Sequence, residues 1–81
     1  MKELQLRIVS PEKTLFDGKA LIVKLPGTEG AFSILSGHAP LLSSLKSGEI
    51  VYQVEKGSHI HIPITSGFIE VDHNIVTVCV E

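Results

Sequence analysis

Gly27-Thr28-Glu29-Gly30, then Phe32-Ser33-Ile34-Leu35, then Gly37-His38-Ala39-Pro40-Leu41-Leu42, is the stretch whose reading decides the fold. A very short apolar segment stands between two glycine-cornered turns. Glycine takes backbone angles that other residues avoid, so Gly27, Gly30 and Gly37 read as corners. Pro40 fixes its own φ and biases Ala39 toward an extended conformation. The second turn therefore reads as a stiff exposed loop with one titratable group, His38. No acid, base or nucleophile stands near His38 in sequence, so the loop suits contact with a partner better than chemistry.

Outward from this stretch the hydrophobic period is two. Leu4, Leu6 and Ile8 alternate with Gln5 and Arg7; Ile50, Tyr52 and Val54 with Gln53 and Glu55; Ile60, Ile62 and Ile64 with His59, His61 and Pro63. Such alternation reads as half-buried strand. Turn signals fall between the runs at Ser10-Pro11, Asp17-Gly18, Ser47-Gly48, Lys56-Gly57-Ser58, Ser66-Gly67 and Asp72-His73-Asn74. The turn breaks predict about nine or ten short strands in an all-β, two-layer sandwich, with residues 1–81 forming a single domain. Pro40–Leu45 places leucines at helical spacing, but it is short and Ser47-Gly48 ends it, so it reads as strand. Two segments break the alternation. Ala20-Leu21-Ile22-Val23 is apolar on both faces and Ile75–Val80 nearly so, which implies either a barrel corner or a partner covering the outer face.

Composition narrows the classes. A chain of 81 residues holds one core and buries only roughly 60–65% of its unfolded surface, so it gains from a partner. The net charge of −2 leaves no electrostatic footprint for nucleic acid or an anionic membrane. The single cysteine, Cys79, makes no internal disulfide, fits a reducing compartment and reads as a buried, inert thiol. Met1-Lys2-Glu3-Leu4 lacks the pattern of a signal peptide. No apolar run approaches the roughly 20 residues of a spanning helix, so the expectation is no direct lipid insertion and attachment through protein partners.

Few residues suggest chemistry. His59 and His61 lie two apart on one strand face, near enough to share a metal, with His73 the only histidine candidate for a third ligand. Without that third ligand they read as a solvated outer face. A free-standing ligand- or metal-binding sandwich built on this pair is the alternative function. No phosphate-cradling glycine loop and no nucleophile elbow occurs, so no catalytic, cofactor or metal residue is assigned. Phe16, Phe32 and Phe68 read as core aromatics, and Glu70 points away from Ile69 and Val71.

The motifs together resemble the N-terminal β-sandwich domain of the epsilon subunit of F-type ATP synthases. Its members carry a G-x-E-G turn, here Gly27–Gly30; a P-G-H-A-P-L-L-like loop, here Ser36–Leu42; and a K-x-G turn, here Lys46-Ser47-Gly48. Leu6–Glu12 is similar to the first strand and turn, Leu15–Gly18 to the F-x-G hairpin, Ser66–Val71 to the S-G-G-x-x-E-V segment, and Asn74–Val78 to the last strand. Short glycine motifs recur by chance, but all of them in this order over the whole chain do not. Ser36 stands where proline is common, Ser33 and Phe68 where glycine is common, and Ala31 where a polar residue often sits.

The resemblance implies a non-catalytic subunit of the rotating central stalk, docking on the gamma subunit and on the polar loops of the c-ring and helping couple proton flow to ATP synthesis. It implies contact with gamma or the c-ring through Glu29, Ser36, His38, Ala39, Pro40 and Ser43. It places the chain at the cytoplasmic face of a bacterial inner membrane, held there by the complex. The family's C-terminal helical hairpin has no counterpart up to Glu81. The expectation is therefore no cofactor, no ATP binding and no helix-mediated inhibition through these residues.

Overall fold

The computed structural model describes residues 3–81, which form nine strands in one curling sheet and no helix. The strands are β1 (Leu4–Val9), β2 (Thr14–Ala20), β3 (Ile22–Gly27), β4 (Gly30–Leu35), β5 (Leu41–Leu45), β6 (Gly48–Gln53), β7 (Ile60–Ile64), β8 (Gly67–Asp72) and β9 (Ile75–Val80). Their order is β2-β1-β9-β8-β5-β3-β6-β7, with β4 on the other edge of β3. Only β1 and β9 pair in parallel.

The fold into two layers occurs on β3. One of its edges pairs with β4 along the whole strand. The other is divided: Ile22–Lys24 pair with β6, and Gly27 alone pairs with Leu45 of β5. Pro26 sits at the division. It has no N–H to give, and its carbonyl accepts from Lys46 N at 2.8 Å. One layer is thus β4-β3-β6-β7 and the other β5-β8-β9-β1-β2.

Alternation places the core between the layers. Leu6, Ile8, Val76, Val78, Ile69 and Val71 face it from one side, and Val23, Leu25, Ile34 and Ile50 from the other, all at most 1% exposed. Phe16 of β2 and Tyr52 of β6 tie the layers together, ring centroids 4.5 Å apart. Burial raises the Tyr52 phenol above its usual value. Phe32 packs on the same core. At Gly67, opposite Val80 at the open end of the β8–β9 pair, an added Cβ would run into the Cys79 carbonyl, so the strands come this close only with glycine here.

The structure decides the two doubly apolar segments. Ala20–Val23 is not one strand. The chain bends at Leu21, whose N–H donates to Gln53 O at 2.8 Å, so Ala20 and Val23 both reach the core from different strands. This is the corner reading, and the segment lends no support to a covering partner. In β9, Val76, Val78 and Val80 are buried while Ile75, Thr77 and Cys79 face outward. Cys79 is therefore half-buried on the outer face and not a core thiol. Phe68, its register partner, also points outward and is 52% exposed, so it is not a core aromatic. Pro40–Leu45 yields β5, in line with the strand reading.

Candidate functional site

The loop from Ser36 to Pro40 leaves β4 through a turn closed by His38 N donating to Leu35 O at 3.1 Å. Gly37 holds φ at 88°, the left-handed angle that the third position of a type II turn requires. The His73-Asn74 turn between β8 and β9 abuts this loop. Both residues have positive φ, 49° and 64°, as a two-residue type I′ hairpin demands. Asn74 then ties the elements together. Its Oδ1 accepts from Gly37 N at 2.7 Å, its Nδ2 donates to Ser36 Oγ at 3.3 Å, and its backbone O accepts from Gln5 N at 2.8 Å. The loop is stiff because a hairpin side chain clamps it, a second reason beside glycine and proline. Asn74 received no role from its place in a turn signal; a clamp between residues 37 apart leaves no local pattern.

His38 is exposed, with Nδ1 2.7 Å from Ala39 O. A carbonyl only accepts, so Nδ1 carries the hydrogen and Nε2 is the nitrogen left for a partner. Ala39 and Pro40 are exposed beside it. A concavity of about 370 Å³ adjoins the loop, lined by Pro40, Leu41, Leu42, Glu70, Val71 and Asp72. Leu42 is 74% exposed there, and Glu70 and Asp72 give the surface an acidic lip. His73 Nδ1 lies 2.6 Å from Asp72 Oδ1, an exposed pair that adds little stability. Leu42, which sequence reading gave no contact role, and Phe68, which it placed in the core, form the apolar part of this outer face. The signal for Phe68 was its place at a family glycine position.

The remaining candidates lie elsewhere. Glu29 is exposed in the Gly27–Gly30 turn, at the other end of the six-residue β4, about 20 Å from the His38 end. That turn is anchored to the far end of β5 by Thr28 N donating to Ser44 O at 3.1 Å. Ser43 shares the inward side of β5 with Leu41 and Leu45 and is half-buried. The structure thus brings together Ser36, His38, Ala39 and Pro40, and separates Glu29 and Ser43 from them.

His59 and His61 are exposed on one face, each beside a different neighbour. His61 Nδ1 is 3.2 Å from Glu49 Oε1, and His59 Nε2 is 3.0 Å from Gln53 Nε2. His73 stands in the β8–β9 turn of the other layer. Among the described residues no group of three His, Cys, Asp or Glu side chains is placed to hold a metal.

The β-sandwich domain of the ATP synthase delta/epsilon chain matches residues 3–81. An ATP synthase epsilon chain from Campylobacter fetus is 41% identical over 81 residues, all of this chain and 63% of that protein. One from Cyanothece is 45% identical over 78 residues, 95% of this chain and 55% of that protein. The chain therefore spans little more than half the length of these relatives. Among solved structures, a chain of the Euglena gracilis mitochondrial ATP synthase OSCP/F1/c-ring assembly superposes with a TM-score of 0.90 at 19% identity, covering 96% of this chain and 50% of that one. A chain of the Tetrahymena thermophila mitochondrial ATP synthase central stalk and c-ring gives 0.77 at 16%, covering 99% and 66%. At these identities the two structures establish a shared fold.

Proposed function

The chain belongs to the β-sandwich family of ATP synthase delta and epsilon chains, and on that premise we propose that it acts as the sandwich of an epsilon subunit in the rotor of an F-type ATP synthase. It is non-catalytic. It docks on the gamma subunit and on the polar loops of the c-ring, and helps couple proton flow to ATP synthesis. The observation that carries this is family membership over 3–81, with relatives at 41% and 45% identity named as epsilon chains.

The geometry favours the Ser36–Pro40 end as one contact. The loop is clamped by Asn74, presents His38 Nε2, and stands beside exposed Leu42 and the Glu70–Asp72 lip. A stiff contact transmits torque; a floppy one yields under load. Glu29, about 20 Å away, serves a separate contact, since one small loop cannot reach both ends of β4. Ser43 contributes only at the margin, because it faces inward. In this reading the subunit is held through the complex at the cytoplasmic face of a bacterial inner membrane.

Size-exclusion chromatography of the chain mixed with gamma tests the reading. Co-elution as a one-to-one complex at micromolar concentration is expected. Separate elution of the two chains refutes docking on gamma.

A further inference from the structure

The outer face of the four-stranded layer carries a second surface, remote from the Ser36–Pro40 loop. Register aligns Ser33, Lys24, Val51 and His61 across β4, β3, β6 and β7. In the neighbouring row stand Gln53 and, beside it, His59. Ser33 and Val51 are short, and the longer side chains around them leave a depression of about 350 Å³.

Five of the seven lining residues carry a donor and none is a carboxylate, while Ile22 and Val51 supply apolar surface. Lys24 brings an ammonium group, Ser33 a hydroxyl, Gln53 an amide, and His59 and His61 their imidazoles. Among the described residues the ion pairs are His61–Glu49 and His73–Asp72, so Lys24 has no carboxylate within pairing distance. Gln53 is held in one orientation, because its Oε1 accepts from Gly57 N at 3.4 Å. Its Nε2 therefore points at His59 Nε2, 3.0 Å away. That contact is a hydrogen bond only while His59 Nε2 is bare. Once His59 is protonated, two donors face each other. A ligand with only acceptors, placed between them, resolves the conflict.

We propose that this depression binds a small oxyanion of the phosphate or carboxylate class, held by Lys24, Ser33, Gln53 and protonated His59. The charged groups on the strands of this face are Lys24 of β3, Glu49 of β6, and His59 and His61 at β7; the β6–β7 loop beside His59 adds exposed Glu55 and Lys56, and β4 contributes no ionisable side chain. Glu49 opposes the ligand from the rim, and its bond to His61 offsets that opposition. The site does not depend on the rotor reading. It lies on the opposite layer from Leu42, Glu70 and Phe68, so it stays accessible if that other face is covered.

The test is an amide-resolved NMR titration of the full chain with sodium phosphate, and separately with acetate, against sodium chloride at matched ionic strength. Saturable shifts are expected at Lys24, Ser33, Val51, Gln53 and His59, with either oxyanion and not with chloride. Lys24→Gln, an exposed position, should weaken binding about fivefold while the spectrum stays dispersed. His59→Gln should weaken binding by a similar factor. Shifts that chloride reproduces, or unchanged affinity in Lys24→Gln, overturn the proposal.

Discussion

Replacing Asn74 with glycine removes one function of that residue and leaves the other. Asn74 has φ of 64°, which glycine adopts without strain, so the β8–β9 turn survives Asn74→Gly. What disappears is the clamp: the 2.7 Å bond from Gly37 N and the 3.3 Å bond to Ser36 Oγ. A hydrogen bond of this kind contributes about 0.5–1.5 kcal/mol. The Gly37 bond is short and the Ser36 bond long, so the first dominates, and about 1 kcal/mol is the expected loss for the loop. Opening of the loop then becomes about fivefold more frequent. Hydrogen exchange at the Gly37 amide reads this directly and should accelerate by about that factor, while core amides such as Ile69 and Val78 keep their protection. Asn74→Ala loses the same clamp and keeps a Cβ in the left-handed region without asparagine's local hydrogen bonding to ease it, a cost of about 1–2 kcal/mol relative to glycine. It should therefore melt below Asn74→Gly, by roughly 4–8 °C per kcal/mol in a domain of this size. Equal Gly37 exchange in Asn74→Gly and the parent chain would refute the clamp.

Other expectations follow from single contacts. Gly67→Ala drives a Cβ into the Cys79 carbonyl and should destabilise the fold by roughly 1–3 kcal/mol in denaturant titration. Tyr52 has its phenol raised above 10.0 by burial, so the stability it contributes is fully present below pH 10.0 and is lost as pH rises through the raised value. The melting difference between the parent chain and Tyr52→Phe should accordingly shift against the parent above that pH and stay flat below it. His38→Ala should weaken partner binding only mildly, by about 0.5–1.5 kcal/mol for one wet hydrogen bond, as read by titration calorimetry. Calorimetric titration with ATP should show no saturable binding tighter than millimolar.

The strands were legible because alternation and turn chemistry are local. Leu4-Leu6-Ile8, Ile50-Tyr52 and the Gly37-Pro40 loop could be placed from their own neighbours. What escaped depends on how the sheet curls. The bend at Leu21 splits a continuous apolar run because β2 and β3 belong to different layers, and nothing in Ala20–Val23 marks the corner. The parallel pairing of β1 with β9 joins the two ends of the sequence and leaves no turn to read. Phe68 and Cys79 were assigned inward from their residue type, although the register that buries Ile69 and Val78 turns both outward. At the candidate site, the loop was visible and its clamp was not. Glu29 and His38 stood in one set of contact residues, but the residues between them are the extended β4, which holds them at opposite ends.

The rotor reading meets its most direct test in vesicles containing ATP synthase depleted of its epsilon subunit. Proton pumping per ATP hydrolysed should rise when this chain is added. It should rise less with a variant in which Gly37-His38-Ala39-Pro40 is replaced by a glycine-serine linker, although that variant still binds gamma. Pumping per ATP that stays at the depleted level with the unaltered chain bound would contradict the account.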